Sequence, residues 1–311
     1  MSRSAGTPAH PQQYVYKKVN GIDLRASVFG APPPKDRARV RPTIVWLHGG
    51  ALVLGTRHDL ERTRSMQLDA YLDNGWVVVA IDYRLAPEDQ LPAIWEDVSD
   101  AFAWVRGGGR QTIGSDPNLV AVVGPSCGGY LALLAGGKLA TPPRAVVSFF
   151  GYGDIIGDWY ARPTSYYLAL PWVTDAAAWG AVGNQSVAEL PLLHDRRDFY
   201  VYLRQRGLWP KVVGGDGPLE KFCPERLVTP SFPPTLLFHG ESDTDVPLEQ
   251  SLRMATALDV AGVPHRLRIV PGASHSFDRA GDAAARDAIA ETVAFLTEVF
   301  RTGEERGTQP R

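Results

Sequence analysis

The sequence predicts an α/β protein: a mostly parallel central sheet with helices on both faces and an inserted lid or cap. Three observations lead there. Near-continuous apolar runs recur at residues 43–47, 76–81, 119–123, 145–150, 235–238 and 266–270. Strands apolar along their whole length are buried on both faces, as parallel sheets require. Helical patterns separate most of these runs, and strand alternating with helix marks parallel crossover units. The rhythm then stops between Gly151 and Ser231, where aromatic residues crowd together. About eighty residues are too many for a bare loop in a compact domain. The expected division is therefore a core of 1–152 and 230–311 with a lid of 153–229.

Taken in order, residues 1–13 are polar and read as a disordered arm. Two alternating runs, 14–19 and 22–29, flank Asn20-Gly21, the strongest short-range signal for a hairpin. Residues 31–42 are rich in proline and basic side chains and read as a solvated loop. Helical patterns follow at 59–72, 93–105, 247–261 and 284–300. In the second of these, Ile94, Val98, Ala101, Phe102 and Val105 share one face. Within the insertion, Asp195 reads as the N-cap of a helix that stops before Gly207. Residues 303–311 form a polar tail.

Composition narrows the function. A chain of 311 residues with a net charge of -2 and no basic stripe gives no sign of a nucleic-acid partner. No run approaches transmembrane length, and the first residues lack the apolar core of a secretory signal. The two cysteines, Cys127 and Cys223, make no disulfide framework. A cytoplasmic location is the expectation. The seven histidines are scattered without ligand spacing, so no metal and no cofactor is expected.

Four segments carry chemistry. Gly124-Pro125-Ser126-Cys127-Gly128 joins an apolar run to a helical pattern, with glycines where a sharp strand-to-helix turn would be crowded. Ser126 would sit at its apex as a nucleophile. His48-Gly49-Gly50-Ala51 directly follows the run ending at Leu47. Consecutive small residues there can turn backbone N–H groups toward an oxyanion, with the N–H of Cys127 as a further donor. Asp243 and Asp245 follow the run 235–238, and either could hold a histidine. His275 lies in a Gly/Ser-rich loop after the last run. The chain order Ser, Asp, His is the one this kind of sheet uses.

These motifs, with Tyr83-Arg84-Leu85-Ala86-Pro87-Glu88 and Gly272-Ala273-Ser274-His275-Ser276-Phe277, resemble the hormone-sensitive-lipase-like serine esterases of the α/β-hydrolase fold. The resemblance covers about 40–150 and 228–300. It implies oxyanion donors at Gly50, Ala51 and Cys127. A His-Gly-x-x-Asp-x-x-Val-Pro string, shared with related hydrolases and peptidases, puts the acid on Asp243 rather than Asp245. The chain departs from the family pattern at Ala51, usually glycine, and at Pro125 and Cys127, commonly Asp and Ala. Its N-terminal arm is short for the family's helical cap, which leaves the insertion to cover the site. A thiol nucleophile at Cys127 is disfavoured by its place one residue past the apex.

The expected activity is hydrolysis of a carboxylic ester through an acyl-enzyme. The alternative is a specialised lactone, thioester or amide hydrolase of a biosynthetic pathway; a non-hydrolytic binding module or lyase is the remoter reading. The expected partner is a small-molecule ester-like substrate, bulky or aromatic. Trp159, Tyr166, Tyr167, Trp172 and Trp179 are the candidate pocket residues, chosen from the aromatic-rich first half of the insertion.

Overall fold

The computed structural model describes residues 11–38, 40–190 and 196–307, with side chains through 302. Its strands are β1 Gln12–Val19, β2 Ile22–Phe29, β3 Arg41–Leu47, β4 Val77–Ile81, β5 Ser115–Pro125, β6 Val146–Phe149, β7 Thr235–Gly240 and β8 His265–Val270. They form one eight-stranded sheet in the order β1-β2-β4-β3-β5-β6-β7-β8. β2 runs antiparallel to β1 and β4. Every other pairing is parallel.

Alternation along the strands divides the core between two faces. On β3, Val45 and Leu47 join one apolar cluster, while Ile44 and Trp46 join the other. Both clusters are covered by helices, Leu91–Gly107 and Cys127–Lys138 on the first and Ala283–Gly307 on the second. Because β3 and β5 to β8 are parallel, the loops that leave them gather at one sheet edge. Such an edge is where open α/β sheets place their ligand sites.

Asn20 and Gly21 turn the β1–β2 hairpin with φ of 51 and 78, the left-handed pair a two-residue turn of this kind needs. β1 begins at Gln12, so Gln12 and Gln13 are paired strand rather than disordered arm. The helix expected over 59–72 is interrupted at Arg64, whose φ of -137 leaves the helical region. That break lets the buried Arg64 side chain pair with Asp278 at 2.5 Å. The last helix continues to Gly307, so 303–307 are helical backbone and not tail. The expected cap Asp195 lies outside the described residues.

Between β6 and β7 the chain makes short helices, Asp158–Ala161, Ser165–Leu168 and Asp175–Gly180, then a longer one, Arg196–Arg206. Much of this region's aromatic content is packing. Tyr160 stacks on Trp209 with centroids 4.2 Å apart, and Tyr152 stands edge-on to both. Phe199, Tyr160 and Trp209 join the same apolar cluster as Val45 and Leu47 of β3 and Val120 and Val122 of β5. Arg196 anchors the longer helix to the core by a two-pronged contact with buried Glu88, at 2.5 and 2.7 Å.

Candidate active site

Ser126 stands between the end of β5 and the helix Cys127–Lys138, with φ 55 and ψ -125. A side-chain-bearing residue in that region is strained and persists only where its surroundings hold it. Here its N–H bonds the Phe149 carbonyl at 2.8 Å and its own carbonyl accepts from Tyr130 N–H at 3.0 Å. The turn is tight enough that a Cβ on Gly124 would lie 2.3 Å from the Gly128 carbonyl carbon, which only glycine permits. Pro125 closes β5 opposite Phe149.

His275, in the loop after β8, places Nε2 3.1 Å from Ser126 Oγ. Its Nδ1 lies 2.7 Å from Asp243 Oδ2. A carboxylate only accepts, so Nδ1 carries the hydrogen and Nε2 is left as the acceptor facing the serine. Asp243 is itself fixed, its Oδ1 accepting the N–H groups of Asp245 and Val246 at 2.9 Å each. His239, near the end of β7, donates Nε2–H to the Val246 carbonyl at 2.9 Å and steadies the same turn. Phe150 packs its ring edge-on against His275, centroids 4.7 Å apart. Burial disfavours the imidazolium, yet Asp245 and Asp243 outweigh it and hold the His275 pKa above its ordinary value.

The loop after β3 passes directly beside the serine: a Cβ on Gly49 would stand 3.4 Å from Ser126 Cβ. Gly50 has φ 116, and a Cβ there would sit 2.1 Å from the Leu54 carbonyl oxygen. Ala51, where the resembled family has glycine, is also left-handed at φ 55. Its peptide is pinned from both sides. The Ala51 carbonyl accepts from buried Trp209 Nε1–H at 2.9 Å, and the next N–H, of Leu52, meets Cys127 Sγ at 3.3 Å. The Gly50 carbonyl accepts from Val53 and Leu54 at 3.0 and 3.1 Å. In a trans peptide, fixing the carbonyl fixes the direction of the N–H opposite, here that of Ala51. Below the loop, His48 stacks on Tyr83 at 4.0 Å, and Tyr83 donates its hydroxyl to the His48 carbonyl at 2.7 Å.

Cys127 is fully buried, and loss of hydration pushes its thiol pKa up to about 12. A thiol held protonated in this way makes a poor nucleophile. Its sulfur instead serves as a packed acceptor under the loop.

A cavity of about 300 Å³ opens over Ser126. Gly49, Gly50, Ala51 and His275 line it, together with Tyr200, Asp245, Arg64, Arg197 and Arg279. None of the five rings expected to line it does so. Trp159 stacks on Tyr160 at 3.7 Å and is part of the packing. Tyr166, Trp172 and Trp179 are exposed at 44%, 59% and 42% and are not among the residues lining the cavity. Tyr167 stands one step back, its hydroxyl 2.6 Å from Asp245 Oδ1. Aromatic density marked the insertion, but not which rings would face the serine. Among the described residues, the tyrosine that lines the cavity is Tyr200, on the helix Arg196–Arg206. No group of three or more potential metal ligands occurs among the described residues.

With this geometry in place, comparison with known proteins is direct. A family model described as an alpha/beta hydrolase fold matches residues 44–279. The chain belongs to the α/β-hydrolase family. Its curated relatives include the non-reducing polyketide synthase ausA of Aspergillus calidoustus, 27% identical over 334 residues, covering 90% of this chain and 13% of that protein. The non-reducing polyketide synthase trt4 of Aspergillus terreus is 28% identical over 323 residues, covering 85% and 13%. The chain thus spans only a small part of these relatives' length. Among solved structures, a Staphylococcus aureus protein of unknown function superposes with a TM-score of 0.75 at 24% identity, over 93% of this α/β-hydrolase and 99% of that chain. A thermophilic esterase of Thermogutta terrifontis, with butyrate bound, gives 0.68 at 23%, over 94% and 95%. At these identities the likeness speaks for the fold. No helix among the described residues is long and apolar enough to cross a membrane.

Proposed function

We propose that this α/β-hydrolase is a serine esterase that cleaves a carboxylic ester through an acyl-enzyme. The observation that carries the reading is the continuous relay Asp243–His275–Ser126, at 2.7 and 3.1 Å, opening on a cavity beside the Gly49–Ala51 loop. His275 Nε2 takes the Ser126 proton as Oγ attacks the ester carbonyl. The N–H groups of Gly50, Ala51 and Cys127 hold the oxyanion, a donor set in which each member is typically worth ~3 kcal/mol. The alcohol leaves with the proton from Nε2. Water, deprotonated by the same nitrogen, then releases the acid and restores Ser126. Asp243 keeps the imidazole in the required tautomer and offsets the charge of the imidazolium.

The second reading keeps these residues and changes the leaving group: a lactone, thioester or amide hydrolase of a biosynthetic pathway. It is favoured by the curated relatives, which are named as polyketide synthases. Turnover of p-nitrophenyl butyrate by the wild-type chain, lost by about 10⁴-fold or more in Ser126→Ala, tests the shared mechanism. A folded Ser126→Ala variant that retains turnover rejects it. Relative kcat/KM for an oxygen ester and a thioester of the same acyl group then separates the two readings.

A further inference from the structure

Asp245 is the second carboxylate at this site, and among the described residues its side chain takes hydrogen bonds on one oxygen. Its Oδ1 accepts Tyr167 OH at 2.6 Å, Tyr200 OH at 2.7 Å and Arg204 Nη1 at 3.1 Å. Arg204 is 1% exposed, with its guanidinium carbon 4.3 Å from the centre of the Tyr167 ring, so the carboxylate has little freedom to turn. Its other oxygen, Oδ2, has no donor within hydrogen-bonding distance among the described residues. It stands on the cavity, 3.7 Å from His275 Nε2, the nitrogen that faces Ser126. Two acceptors at this spacing lie within the ~4.4 Å that one water molecule spans with two ordinary hydrogen bonds.

We infer that Asp245 is a positioning residue of the hydrolytic step: its Oδ2 and His275 Nε2 together accept the two O–H bonds of the water that attacks the acyl-enzyme. This rests on the serine-esterase reading. The water oxygen bonds to the acyl carbon while one of its protons passes to Nε2; the other stays directed at Asp245 Oδ2. When the intermediate collapses, the carbon–Oγ bond breaks and the proton on Nε2 moves to Ser126 Oγ. The carboxylic acid leaves, and the serine is regenerated. An alcohol carries one O–H and can satisfy only one of the two acceptors. The arrangement therefore selects water over alcohols as the acyl acceptor.

The charges around His275 are consistent with a role beyond packing. Asp243 faces Nδ1, Asp245 faces Nε2, and His239 lies behind Asp243. Asp278 follows on the same loop, paired with Arg64. Arg279, Arg197 and Tyr200 line the cavity, and Arg204 lies behind Asp245. Removing the Asp245 charge takes away the principal influence raising the His275 pKa. The acid limb of activity should then move to lower pH.

The test is partition of one acyl-enzyme between water and methanol, read as the ratio of methyl ester to free acid from p-nitrophenyl butyrate at fixed methanol. The ratio depends neither on acylation rate nor on the fraction folded. In Asp245→Asn it should rise about fivefold, the value of one ordinary hydrogen bond lost from water alone. Tyr200→Phe, which removes one donor to Oδ1 and loosens the carboxylate, should raise it less and in the same direction. An unchanged ratio in every folded variant overturns the inference, whatever happens to total turnover. If Ser126→Ala still releases p-nitrophenol, the esterase reading itself has failed, and that outcome is separate from the first.

Discussion

Trp209 and Ala51 lie far apart in the chain, yet the indole N–H of the one bonds the carbonyl of the other at 2.9 Å. The contact ties the segment between β6 and β7 to the loop proposed to hold the oxyanion. It reaches a residue in the left-handed region, at φ 55, where an alanine is held by its neighbours. Replacing Trp209 with Phe keeps most of the packing and removes the donor. We expect kcat to fall about tenfold with KM little changed, since the bond helps hold Ala51 in the left-handed conformation from which its own N–H would serve the oxyanion, and a misaimed donor costs the transition state and not the bound substrate. A lowered melting temperature with unchanged kcat would make the bond structural only.

The buried Cys127 gives a second prediction. Its thiol, pushed up to about 12 by burial, should resist iodoacetamide at pH 8 in the native protein and react on unfolding. Cys127→Ala should keep esterase activity within about tenfold, because the backbone N–H assigned to the oxyanion survives and what is lost is the weak Sγ contacts to Leu52 N–H, the Tyr83 hydroxyl and the His48 carbonyl. Mass spectrometry of the alkylated native protein checks the first part. Abolished activity in a folded Cys127→Ala variant would assign the thiol a larger part.

His48 supplies a prediction about stability and pH. Fully buried, it has its pKa depressed to about 4, chiefly by loss of hydration. The unfolded chain would bind a proton at about pH 6.5. Between those values the unfolded state holds more protons, so stability is present above pH 6.5 and falls as pH drops toward 4. The loss from this one group reaches about 3 kcal/mol below pH 4. Denaturant titrations at pH 7.5, 5.5 and 4.5 should show that decline, and His48→Asn, if folded, should flatten it.

The activity profile has the opposite origin. The proposed mechanism needs neutral His275, whose pKa is held above its ordinary value of 6.5 by Asp245 and Asp243 against its burial. The acid limb of kcat/KM is therefore expected above pH 6.5. A limb well below that value would mean the carboxylates do not raise the imidazole in solution.

The sheet and the relay were legible because each is written locally. Apolar runs give buried strands, Asn20-Gly21 gives its hairpin, and glycines flank Ser126 where a Cβ would strike backbone. Asp243 and Asp245 could not be separated by residue type, because both sit in one turn after β7. The turn itself decides between them: the N–H groups of Asp245 and Val246 fold back on Asp243 and aim it at Nδ1 of His275. The pocket was not legible. Whether Trp159 or Tyr200 faces the cavity depends on how short helices pack, and no periodicity in an irregular insertion records that. Arg204 was hidden for the same reason, a charged residue whose burial depends on rings and a carboxylate brought together only by the fold.

The most direct test of the central claim is to find where an active-site organophosphate binds. Paraoxon should inactivate the wild-type chain with one equivalent incorporated, and peptide mapping should place the adduct on Ser126. Ser126→Ala should take up none and release no p-nitrophenol from p-nitrophenyl butyrate. An adduct on another residue, with Ser126→Ala folded and still turning over, would contradict the account.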